Sequence, residues 1–135
     1  VVLAARDGSR VGVAHAGWRG LCDGILEATV SAMHLPAATL LAWFGPAISQ
    51  PAFEVGGEVR ERFIAADPEA AGCFAANDRG RWQADLYGLA RLRLERLGIT
   101  AIGGGDRCTF AEAGDFFSYR RDGQCGRMAT FVFRT

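Results

Sequence analysis

Apolar residues along this chain recur with two different periods, and the places where the period changes mark out the elements. Val1–Ala5 and Arg10–Ala14 are short β-prone runs separated by Arg6-Asp7-Gly8-Ser9. An Asp-Gly step between such runs predicts a hairpin, because glycine accepts the positive φ that a tight turn needs. The second strand ends at His15, and Ala16-Gly17 leads into a helix whose apolar stripe is Leu21, Ile25, Leu26, Val30 and Met33. That helix stops before Pro36. Leu40-Leu41-Ala42-Trp43-Phe44 predicts a buried strand closed by Gly45-Pro46, and Val55, Val59 and Phe63 at helical spacing predict a second helix over Glu54–Ala66. After the turn Asn77-Asp78-Arg79-Gly80, Asp85 opens a third helix carrying Leu86, Leu89, Ala90, Leu94 and Leu97, and Gly98 ends it. Ile99–Ile102 predicts a short strand, Gly103-Gly104-Gly105 a flexible run, and the alternation in Met128–Phe133 a final strand.

Strands and helices are interspersed, and the hairpin makes the sheet at least partly antiparallel. The expected fold class is therefore α+β, mixed sheets flanked by helices, rather than a doubly wound parallel sheet. At 135 residues the chain is the size of one domain, residues 1–135. It opens on Val1, inside an apolar run, as a chain cut within a strand would. The expectation is a domain incomplete at its N-terminus, with an unpaired sheet edge that invites self-association.

Composition narrows the partners. Half of the residues are hydrophobic and 22% are charged, a globular balance, and 15 basic residues offset 15 acidic ones. A zero net charge gives no footprint for nucleic acid or an anionic membrane surface. No apolar run reaches the ~18 residues that a membrane span needs, and no signal-peptide pattern opens the chain. Cys22, Cys73, Cys108 and Cys125 are irregularly spaced without a Cys-x-x-Cys pair. Reduced thiols in a cytoplasmic protein are the simplest account of them.

Among candidate chemical groups, His15 stands out by position. It falls at a strand end before a glycine turn, with Arg19 one helical turn away. Such a placement suits a metal ligand or general base next to an anion held by free N–H groups at a helix start. His34 falls near a helix C-terminus, where a cation favours the dipole, and needs no further role. Cys108 follows Asp106-Arg107 in a loop, where a reactive thiolate and an inert buried cysteine are equally compatible with the sequence. Phe116-Phe117-Ser118-Tyr119-Arg120-Arg121-Asp122-Gly123 reads either as an edge strand with a polar turn or as aromatic faces for a planar base beside guanidinium forks. The three-glycine run does not follow the dinucleotide fingerprint.

Taken together, Ala14-His15-Ala16-Gly17-Trp18-Arg19-Gly20, Gly45-Pro46-Ala47-Ile48, Phe53-Glu54-Val55-Gly56, the Phe116–Gly123 segment and Gly126-Arg127-Met128-Ala129 resemble one family. It is that of the multicopper polyphenol oxidases (laccases), also associated with purine nucleoside phosphorylase and adenosine deaminase activity. Asp106-Arg107-Cys108-Thr109 fits as well, and the resemblance runs over essentially the whole chain as the C-terminal portion of the family's domain. It implies a zinc site of two histidines and one cysteine, with copper in the oxidase guise. His15 matches the last of these ligands, the other two belong upstream of Val1, and Cys108 is not one of them. The implied activity is phosphorolysis of adenosine or inosine with adenosine deamination, with purine nucleoside and phosphate as partners. Arg19 and Arg121 are then the expected phosphate-binding residues, and the 135-residue piece is expected to be inactive alone. A link to removal of wrongly built peptidoglycan precursors also comes with the resemblance.

Two other classes stay open at this level. A copper-dependent polyphenol oxidase calls for two histidines, a cysteine and usually a methionine, of which this chain offers one convincing ligand. A non-catalytic scaffold or binding domain would need none of them.

Overall fold

The computed structural model describes residues 1–135. Its elements run β1 (Val2–Ala5), β2 (Val11–Val13), α1 (Trp18–Cys22), α2 (Ile25–Ala32), β3 (Leu40–Phe44), β4 (Glu54–Val55), α3 (Gly57–Ala66), β5 (Phe74–Ala76), β6 (Trp82–Ala84), α4 (Leu86–Arg96), β7 (Ile102–Gly104) and α5 (Tyr119–Asp122).

The first hairpin forms as its turn dictates. Gly8 sits at φ +72°, and the Asp7 carboxylate accepts the Ser9 N–H at 2.9 Å. β1 pairs antiparallel with β2 on one side and with β3 on the other, and β7 joins β3 in parallel. The strand order is β2-β1-β3-β7, a mixed sheet within an α+β architecture, as expected. Register sorts the side chains by face. Leu3 lies opposite Ala42, and Ala5 opposite Leu40. These four and Phe44 are buried in one core with Leu21, Leu26 and Val30 of the first two helices and Leu89 and Leu94 of α4. Ion pairs tie the helical side together, including Arg93 to Glu27 at 2.7 Å between α4 and α2.

A second sheet, β4-β6-β5, is antiparallel throughout. Its buried Val55, Phe74 and Ala84 join Val59 and Phe63 of α3 in the same core, where the Phe63 and Phe74 rings meet at 6.0 Å. The β5-β6 turn is built around Asn77, whose side chain accepts the N–H groups of Arg79 and Arg81 and donates to Glu54 and Gln83.

Four sequence expectations need correction. The first helix is two helices, because Gly24 at φ +89° breaks the run after Asp23. The second begins at Gly57 instead of Glu54. Val55 keeps the helical spacing, yet it pairs with Trp82 in a sheet, since any buried residue can satisfy a stripe that short. The strand expected over Ile99–Ile102 starts at Ile102 and runs into the glycines, with Ile99 buried in the turn before it. Met128–Phe133 forms no strand. No residue after Gly123 takes part in a hydrogen bond between two backbone groups, and Phe131 and Phe133 are 79% and 70% exposed. Alternation supplies a strand with faces, but a strand exists only against a partner. No helix is long and apolar enough to cross a membrane.

Candidate functional site

A cavity of about 650 Å³ opens where β2 ends and the loops after β3 and before α5 converge. That is within the range of small-molecule sites. Most of its wall is apolar, with Phe44, Phe53, Phe117 and Tyr119 among its aromatic groups.

His15 stands in this wall, on the first residues after β2. Gly17 packs closely beside it: a Cβ there would lie 3.0 Å from the imidazole Nε2, so a side chain at this position would make the His15 ring shift. Trp18, at the start of α1, lines the same cavity. His34 lies elsewhere, in a left-handed turn after α2 at φ +50°.

The Gly45-Pro46-Ala47-Ile48 segment forms a second wall. Tyr87 of α4 holds it, accepting the Ala47 N–H at 2.7 Å and donating to the Arg107 carbonyl at 2.9 Å. Burial pushes the Tyr87 phenol up, against the opposing effect of the Ala47 hydrogen bond. Cys108 pairs across to Ala47 as an isolated bridge and is buried. Burial pushes its thiol up, but hydrogen bonds from the Ser49 side chain and from the N–H groups of Ser49, Ala111 and Phe110 outweigh that and leave it below the ordinary value. Cys108 is thus a held structural group behind the wall, outside the cavity lining.

The arginines divide differently from the sequence expectation. Arg19 is exposed, with its guanidinium 4.7 Å over the Trp18 ring, and it does not line the cavity. Arg121 turns inward to the loop before it. It donates to the carbonyls of Thr109, Phe110 and Phe116 at 2.8–2.9 Å and to both oxygens of Asp122. Those five bonds engage all of the N–H donors a guanidinium has. Its neighbour Arg120 does line the cavity. Arg120 lies 5.4 Å over Phe53 and spends one hydrogen bond, at 3.0 Å, on the Glu54 carbonyl. Sequence reading named both residues in one aromatic and basic segment; the signal that separates them is Ser118. Its buried hydroxyl caps α5 by accepting the Arg121 N–H, and successive residues on the turn that follows face about 100° apart.

No three His, Cys, Asp or Glu side chains converge anywhere in the chain. His15 is the single residue of those four types in the cavity wall. One imidazole does not make a three-ligand zinc site, so the residues present do not by themselves fit a resident metal.

The profile of the family described as multi-copper polyphenol oxidoreductase laccase matches residues 1–135. A purine nucleoside phosphorylase of Pseudomonas aeruginosa is 53% identical over 129 residues, which cover 95% of this chain and 53% of that protein. Purine nucleoside phosphorylase YfiH of Escherichia coli is also 53% identical, over 98% of this chain and 54% of its own length. A solved Neisseria meningitidis protein superimposes with a TM-score of 0.88 at 49% identity, covering 90% of this chain and 50% of that one. The chain thus spans about half the length of the relatives it matches. With every residue inside the matched span, it belongs to the multi-copper polyphenol oxidoreductase laccase family.

Proposed function

We propose that these residues form part of the substrate cavity of a purine nucleoside phosphorylase. The observation that carries the reading is the aromatic cavity with His15 in its wall, in a chain about half identical to relatives named for that activity. A purine is planar and apolar on its faces, and the exposed rings of Phe117 and Tyr119 offer surfaces on which it can stack. In phosphorolysis a phosphate oxygen bonds to C1′ of the ribose as the C1′–N9 bond breaks. The base leaves with the electron pair and takes a proton, giving free purine and ribose 1-phosphate. His15, the one imidazole in the cavity wall, is our candidate to hold or move that proton when it is not a metal ligand.

The finer reading is a zinc-dependent enzyme that also deaminates adenosine, water adding at C6 as ammonia leaves. Its metal would require donors from outside residues 1–135, with His15 as one ligand. In a chain extended to the full length of its relatives, zinc is expected at close to one per chain, and His15→Ala should remove most of it. Elemental analysis checks this; unchanged zinc in the variant rejects the ligand assignment. Release of hypoxanthine from inosine that depends on added phosphate tests the activity itself. A copper-dependent phenol oxidase is the second reading, favoured by the family's description. Oxygen uptake with a phenolic substrate in the copper-loaded protein, without phosphorolysis, would establish it instead.

A further inference from the structure

We infer that Arg120 is the oxyanion-binding residue of the cavity, and that Arg121 beside it is its support. Arg120 is the one arginine or lysine in the cavity wall. It has no carboxylate partner, unlike Arg121 beside it; other unpaired arginines, Arg19 among them, lie outside the cavity wall. One of its donors is spent on the Glu54 carbonyl, which leaves the remaining N–H groups of the fork for a ligand. Its guanidinium carbon lies 5.4 Å from the centre of the Phe53 ring, a cation–π contact that consumes no donors.

The support is equally specific. Arg121 ties α5 to the carbonyls of Thr109, Phe110 and Phe116. Thr109 is itself locked to the second wall, its N–H donating to the Ala47 carbonyl at 2.9 Å. With Ser118 capping the turn, the backbone that carries Arg120 is held from both sides. Arg120 is solvent-exposed at the rim of a largely apolar cavity, and a cation without a carboxylate partner there is free to pair with an anion. A guanidinium fork matches two oxygens of a phosphate in one plane. The ligand class is therefore a phosphate oxyanion, either inorganic phosphate or the phosphate of a sugar 1-phosphate. This assignment rests on the phosphorylase reading for its ligand class, though not for its geometry.

Binding is read without nucleoside, so that its failure is distinct from a failure of phosphorolysis. Inorganic phosphate and ribose 1-phosphate are titrated separately, at constant ionic strength, into the chain extended to the full length of its relatives, followed by calorimetry. Arg120→Met should weaken both ligands at least tenfold, and Arg120→Lys, which keeps the charge and loses the fork, should fall between. Arg19→Met should leave both affinities unchanged, and the melting temperatures of all three variants should stay close to that of the parent. A tighter sugar phosphate than phosphate marks the product end of the site, and the reverse the co-substrate end; either is consistent with Arg120 as the anchor. Unchanged affinity in Arg120→Met overturns the assignment, as does loss of affinity in Arg19→Met instead. Absence of binding by both ligands to the parent chain overturns it too.

Discussion

The two faces of the four-stranded sheet are built from the same kinds of residue and meet opposite fates. On one face, Leu3, Ala5, Leu40, Ala42 and Phe44 are almost wholly buried beneath the helices. On the other, register aligns Val13, Val2 and Trp43 in one row and Val11, Ala4 and Leu41 in the next. Within those rows Trp43 is 60% exposed, Val13 48% and Leu41 37%. Gly103 sits against the Trp43 ring, where a Cβ would approach it to 2.7 Å. Hydropathy is as high on the bare face as on the covered one. An apolar face is therefore a demand for a cover, and not evidence that this stretch of chain supplies one.

The sharpest way to break the comparison uses two neighbours on β1. Leu3 is fully buried, and Leu3→Ala should cost about 3 kcal/mol through lost transfer free energy and the cavity left behind. Val2→Ala, one residue away on the bare face, should cost less than about 1 kcal/mol. Urea denaturation of both variants checks this, and equal losses would mean that the bare face is covered in solution.

Acid probes the ion pairs elsewhere in the molecule, where Asp67 and Glu54 clamp α4 and the β5-β6 turn. Hydrogen bonds from Arg96, outweighing burial, hold the Asp67 carboxyl below its ordinary value, and the Arg79 bond does the same for Glu54. Since the folded state lowers these values, their stabilising contribution is complete above the ordinary carboxylate pKa of about 4. It is lost as pH falls from there through the folded-state values. Stability should therefore decline on acidification below about pH 4, and Asp67→Asn should flatten that decline. A pH series of melting temperatures provides the measurement.

The smallest effect on folding is expected on the bare face. Trp43→Thr should change stability by no more than about 0.5–1 kcal/mol. It should nonetheless reduce both hydrophobic-dye binding and self-association of the chain, since the patch loses its largest exposed ring. Light scattering and dye fluorescence of the variant measure both, and a parent chain that is monomeric and binds no dye would remove the premise.

Local chemistry was legible wherever a residue's role is set by its near neighbours in sequence. Asp7-Gly8 turned the first hairpin, Asp85 capped α4 by accepting the Gly88 N–H, and Gly98 ended that helix in a left-handed turn at φ +93°. His15 was legible as a site candidate because a strand end followed by small residues limits where an imidazole can go. The pair β5 and β6 was not, since Phe74-Ala75-Ala76 and Trp82-Gln83-Ala84 carry little strand signal and are held by each other and by β4.

What the chain's own order of residues determined, then, is the short-range part: turns, caps, the inner stripe of α4 and the strand-end position of His15. Those depend on backbone conformation over a few residues, which side chains control directly. Tertiary structure alone decided which face of β1 and β3 would be covered, that Val55 would join a sheet, and that Arg120 would line the cavity while Arg121 was used up by carbonyls of the preceding loop. Each of these is settled by a partner far away in sequence, and hydrophobic patterning records that a partner is needed without recording which one arrives.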